Sequence, residues 1–149
     1  MEISLNPSKA TRILPKLLLA GCALYLVLAA AAGVVIARFS LKVYRRPLRD
    51  QAVMATAVEA QFHAKLENIS VQAADGATLR GWYIHPDTFN GSAVLLLHGI
   101  TDNREGVAGF GRLFLEHGYA VLMPDARAHG ESGEELATYG IQETKDLHR

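Results

Sequence analysis

The spacing of apolar residues changes along the chain, and each spacing predicts a different element. Leu17 to Ala37 carry no charge at all. At about 1.5 Å of rise per residue this stretch reaches about 30 Å, the thickness of a bilayer's hydrocarbon core. Lys16 and Arg38 bracket it. The pattern predicts a transmembrane helix over 17–37, after a basic tail over 1–16. Pro47 ends the membrane-proximal segment. From Asp50 to Leu66 the apolar residues Met54, Val58, Phe62 and Leu66 recur every four positions, which predicts a short amphipathic helix. Residues 38–66 therefore read as a basic juxtamembrane segment and helical linker, and 67–149 as the folded part.

Beyond the linker the period shortens. Asn68 to Ala73 and Thr78 to His85 are strand-like, with Asp75-Gly76 between them. Asp-Gly is a strong tight-turn dipeptide, so a hairpin is expected. Trp82 and Ile84 fall on one side of its second strand and Tyr83 on the other. Ala93 to Leu97 is a continuous apolar run, the pattern of a strand covered on both faces. Asp102 and Glu105 have capping-box spacing, so a helix starting near Asn103 is expected. Gly106, Gly109 and Gly111 weaken its early turns and imply either close packing on a sheet or a looser loop. Gly118 stops it. Tyr119 to Met123 forms the second buried strand. Two such strands joined by a helix make a βαβ unit with a right-handed crossover, so the fold class is α/β.

Composition sharpens the picture in one respect. Of the fifteen basic residues, eight lie in 1–49, beside a single acid, Glu2. The other seven share 50–149 with fourteen acids. A basic collar beside a span suits anionic headgroups, and an acidic folded part gives no reason to expect nucleic acid. A cleaved secretory signal has a shorter apolar core than this one. Leu19-Ala20-Gly21-Cys22 has lipobox character, but only five apolar residues separate Lys16 from Cys22, and the residues after Cys22 stay apolar. Cys22 therefore reads as a small residue in a membrane helix. More cations flank the carboxyl side of the span (Arg38, Lys42, Arg45, Arg46, Arg49) than the amino side (Lys9, Arg12, Lys16), which leans toward a cytoplasmic folded part.

In open α/β sheets ligands sit at the carboxyl ends of the strands. His98-Gly99-Ile100-Thr101 leaves the first buried strand there. Asp125-Ala126-Arg127-Ala128-His129-Gly130-Glu131-Ser132 leaves the second. This arrangement resembles the α/β-hydrolase family, most closely its membrane-anchored serine-hydrolase members of the serine-aminopeptidase and lysophospholipase-like group, over roughly 68–149. The resemblance implies that the His-Gly turn supplies one oxyanion donor, the N–H of Ile100, with Gly99 allowing close approach. His98 and Thr101 belong to the same turn. Asp125, Arg127, Gly130 and Ser132 match the family's Asp-x-Arg-x-x-Gly-x-Ser loop, which shapes the rim of the site; Ala128 stands where many members have Gly. Asp125 and Arg127 read as an internal ion pair or a turn-capping pair, and His129 as a rim residue. Tyr139-Gly140 with Glu143 and Asp146 matches the segment leading into the next helix.

None of the 149 residues forms Gly-x-Ser-x-Gly. Gly130-Glu131-Ser132-Gly133 is not Gly-x-Ser-x-Gly, the elbow that needs a glycine both two before and two after the serine, so Ser132 is no nucleophile. The resemblance implies a hydrolase acting on ester, thioester or amide bonds by acyl transfer. It places the nucleophile, acid and base beyond Arg149, so that this chain is expected to be an amino-terminal portion, inactive alone. The alternative is a truncated, non-catalytic membrane protein with a binding role. About four strands are expected where the family sheet has about eight, which leaves apolar faces without cover. No cofactor is expected: there is no P-loop, no Gly-x-Gly-x-x-Gly after a strand, no zincin His spacing, and the one cysteine argues against structural zinc. The expected partners are the bilayer through 17–37 and, in a complete family member, a small acyl substrate. Oligomeric state is not legible in the sequence.

Overall fold

The computed structural model describes residues 7–49 and 51–147. Residues up to Ser40 and those from Leu41 onward form separate compact units. The first is a single helix, α1 (Pro7–Leu41), with Pro15 inside it. Its part from Ile13 to Leu41 has a mean hydropathy of 2.4 and is long and apolar enough to cross a membrane. That property alone does not distinguish a span from a signal sequence. Leu17, Leu19, Tyr25 and Ile36 are exposed, which costs least where the surrounding medium is itself apolar.

The second unit begins with an extended segment and α2 (Gln51–Phe62). The chain then turns at His63, a non-glycine residue with φ of +47°, and enters β1 (Ala64–Gln72) at once. The strand thus starts four residues before the alternation predicts, and Leu66 belongs to it rather than to the helix. The reason is packing: Met54, Val58 and Phe62 from α2 meet the same core as Ala64 and Leu66, so one apolar stripe serves two elements. β1 pairs antiparallel with β2 (Thr78–Pro86) across the Asp75-Gly76 turn, as expected from the sequence. Gly76 has φ of +91° there, the left-handed conformation that this turn requires.

β3 (Ala93–Leu95) runs parallel to β4 (Ala120–Pro124), and β2 joins β4 antiparallel, giving the order β1-β2-β4-β3. The fold is therefore α/β with a partial mixed sheet. The β3–β4 crossover holds a single 3-10 turn (Arg104–Val107) and then α3 (Ala108–Leu115). Its cap is not the expected Asp102–Glu105 box. Asn103 serves as the N-cap, its side chain accepting from the Glu105 N–H at 3.0 Å. Close packing accounts for Gly111, where a Cβ would meet Met123 Sδ at 3.3 Å, but not for Gly109, which faces open space.

Trp82, Ile84, Val121 and Met123 form the core with α2 and α3, each at most 2% exposed. At the centre of the sheet Gly81 lets β2 and β4 approach: a Cβ there would stand 2.8 Å from Pro124 Cα. The other face is open. The expectation that the Ala93 run is covered on both sides is corrected here: the strand is three residues long, and Leu95 and Leu97 stay 43% and 52% exposed. With Ile69, Val71, Leu79 and Leu122 they line an apolar concavity of about 350 Å³.

Candidate functional site

Two loops leave the carboxyl ends of the parallel strands and meet through His98. Its Nε2 accepts the Ala126 N–H at 3.0 Å, and Nδ1 lies 2.7 Å from the Gly99 carbonyl. A carbonyl only accepts, so Nδ1 carries the proton and Nε2 the lone pair. His98 is thereby a tie between the His-Gly turn and the Asp125 loop. The turn closes with the Asp102 N–H donating to the Gly99 carbonyl at 3.3 Å. Thr101 sits at φ of +63°, an outlying conformation for a β-branched residue. Among the described residues no acceptor is assigned to the Ile100 N–H, and the Ile100 side chain is half exposed.

Asp125 is the hub of the second loop. Its carboxylate accepts the Arg104 N–H at 2.8 Å and the Glu131 N–H at 2.9 Å, and faces the Arg104 guanidinium at 3.3 Å. Arg104 is 1% exposed, also pairs with Glu131, and stands 5.0 Å above the Trp82 ring. Gly130 makes the arrangement possible. Its φ is +46°, and any Cβ there would overlap the Asp125 carboxylate. Ser132 is fully buried: its hydroxyl donates to the Asp125 carbonyl at 2.7 Å and accepts the Arg80 N–H at 2.9 Å. It braces the loop against β2.

Asp125 and Arg127 do not pair with each other, which corrects the ion-pair alternative; Asp125 instead caps the loop by accepting the Glu131 N–H. They point apart, and each finds other partners. Arg127 bridges Asp75 at 2.9 Å and Asp146 at 2.7 Å. The bonds to Asp146 first, and then those to Asp75, outweigh burial and raise the guanidinium further above its ordinary range. The same contact holds the Asp75 carboxyl below its ordinary value. His129 is buried rather than at an open rim. Nδ1 lies 2.9 Å from the Arg127 carbonyl, Nε2 has no partner, and its ring stands 5.0 Å from that of His98. Ala128, where glycine is frequent in the family it resembles, has φ of +63°. The left-handed turn accounts for that glycine.

Arginines of the juxtamembrane segment were invisible as site residues from sequence, where they read as a collar for headgroups. Arg45 donates to the Ser132 carbonyl at 2.8 Å and to the Glu134 carbonyl. Arg46 pairs with Asp102 at 2.7 Å, and Asn103 donates back to the Arg46 carbonyl at 3.0 Å. The Asp102 carboxyl is held below its ordinary value, first by the Asn103 N–H. The segment after α1 is thus fastened to both loops.

α4 (Glu143–Asp146) follows the Tyr139-Gly140 turn. Burial would raise the Glu143 carboxyl, but the Thr138 hydroxyl and N–H and the Gly140 N–H bring it from 4.5 down to about 2. A depressed carboxyl contributes stability above its unfolded value that is lost as pH falls through its folded one. Glu143→Gln should therefore flatten the fall in thermal midpoint between pH 4.5 and about 2. An unchanged acid limb would show that these bonds do not hold in solution.

Residues 92–148 match the family model described as alpha/beta hydrolase fold. The matched segment runs from β3 to α4. A Bacillus subtilis carboxylesterase is 43% identical over 60 residues, 39% of this chain and 24% of the relative. An uncharacterized Bacillus subtilis protein, YqkD, is 35% identical over 80 residues, 53% of this chain and 26% of its own length. The Pyrococcus furiosus esterase Pf2001 superposes with a TM-score of 0.56 at 27% identity, over 72% of this chain and 39% of the esterase. The chain spans about a quarter of the length of the curated relatives that it matches. The His98 turn and the Asp125 loop lie at the carboxyl ends of the parallel strands β3 and β4, where open α/β sheets hold ligands.

Proposed function

We propose that these residues supply the oxyanion wall of a membrane-anchored serine hydrolase that cleaves ester, thioester or amide bonds by acyl transfer. The observation that carries this is the Ile100 N–H. It leaves the His-Gly turn without an internal acceptor, while the neighbouring Ala126 N–H is taken up by His98. A free backbone donor fixed at a strand end is what a developing oxyanion requires. The esterase and carboxylesterase names of the similar proteins support the reaction class. In this reading α1 anchors the protein, the folded part faces the cytoplasm, and His98, Asp125 and Arg127 position the wall without touching the substrate. The Ser that attacks and its base are not among these 149 residues, which contain no Gly-x-Ser-x-Gly.

Fluorophosphonate labelling tests both parts. The 149-residue chain made alone should take no label; label on it would refute the assignment of attack to a residue outside it. Membranes of the source cells should yield labelled material to an antibody against Thr78–Pro86. Captured material that never labels would overturn the hydrolase reading.

A further inference from the structure

A second cavity, of about 250 Å³, opens between α2, α3 and the core face of the sheet. No residue of 98–101 or 125–132 lines it. Its floor is apolar, built from Met54, Val58, Phe62, Leu115 and Met123. Gly109 borders it with nothing within 4 Å of the place a Cβ would take. The rim is cationic. Arg112 stands 5.6 Å over the Phe62 ring and has no ion-pair partner among the described residues. The Arg49 guanidinium is 80% exposed and stands 3.8 Å from Glu105, the one acid against three arginines in the lining, whose other oxygen accepts the Arg49 N–H at 2.6 Å. Two wall residues keep buried polar atoms without hydrogen-bond partners, the Trp82 indole N–H and Glu105 Oε2. A finished core packing leaves few such atoms.

We propose that this cavity binds a fatty acid, its alkyl chain on the apolar floor and its carboxylate at Arg112 and Arg49. An apolar cavity of about 150 Å³ takes one benzene, so this one accommodates about ten carbons on the same scale. Charge complementarity selects the head group: the Arg112 fork, which has no carboxylate partner among the described residues, matches a carboxylate bidentately. The chain reaches this rim only a few residues after α1 ends at Leu41. The inference does not depend on acyl transfer and extends to a part of the molecule that the proposed function does not use.

Trp82 is the only tryptophan and lies on the cavity wall, so it reports on the site directly. The full chain in phosphatidylcholine nanodiscs is titrated with ω-bromoundecanoate, whose bromine quenches indole fluorescence. The expected result is saturable quenching with one probe per chain. Gly109→Leu should abolish it without lowering the thermal midpoint, since the side chain enters empty space. Arg112→Glu should weaken it about tenfold or more, the worth of a charged hydrogen bond, and Arg112→Lys should retain most of it. The trimethylammonium analogue of the same length should not saturate. Quenching that rises linearly with the probe dissolved in the bilayer would overturn the proposal. So would equal quenching by the cationic probe, or quenching untouched by Arg112→Glu. The Arg112 pair carries the test alone if Gly109→Leu lowers the midpoint. Fluorophosphonate labelling is read separately and does not bear on this outcome.

Discussion

Asp125→Ala should destabilise the folded unit by about 3–5 kcal/mol, because it strands a buried guanidinium and two backbone N–H groups. Arg104 is 1% exposed and loses its buried counter-charge, keeping only the half-exposed Glu131. The Arg104 and Glu131 N–H groups lose their acceptor at the same time. For a unit of this size each kcal/mol moves the thermal midpoint by about 4–8 °C, so the midpoint should fall by more than about 12 °C. Trp82 fluorescence of the chain in nanodiscs reads the transition. A midpoint unchanged to within a few degrees would mean that the cluster is solvated and contributes nothing.

Gly130→Ala should cost nearly as much, for a reason tied to the same carboxylate. The left-handed conformation at φ of +46° costs an alanine about 1–2 kcal/mol. The rest comes from the new methyl group, which occupies the place of the Asp125 carboxylate and forces it off its donors. The two substitutions should therefore not add. In an Asp125→Ala background the second change should cost only the conformational part, an interaction energy of about 1–3 kcal/mol. Strict additivity of the two midpoint shifts would show that Gly130 and Asp125 act independently.

Much of this arrangement was legible in the sequence, and the gaps have physical reasons. The hairpin announced itself through Asp75-Gly76, and the βαβ unit through two apolar runs flanking Asn103 to Gly118. Local chemistry dictates both. The strand that begins at Ala64 was hidden because Leu66 fits the four-residue repeat of the helix before it. The partners of Arg127 were hidden because Asp75 and Asp146 are distant in sequence, whereas Asp125 is near and plausible. Nearness along the chain says little here, because both residues lie in the loop after β4, where the left-handed turn at Ala128 breaks the strand's alternation. The arginines at 45, 46 and 49 were read through their charge alone. The side-chain hydrogen bonds of Arg45 to Ser132 and Arg46 to Asp102, and that of the Arg49 backbone N–H to Glu105, need the fold to exist before they can be seen.

Arg127 also sets an order of events during synthesis. Its two carboxylates lie on the β1–β2 turn and on α4, so the clasp joins one of the first parts of the folded unit to one of the last described. The hairpin closes over a short loop and can form as soon as it clears the ribosome. The clasp cannot close until Asp146 has followed. Within that interval β2 first waits for β4, and its second edge stays unpaired until Ala120–Pro124 have emerged.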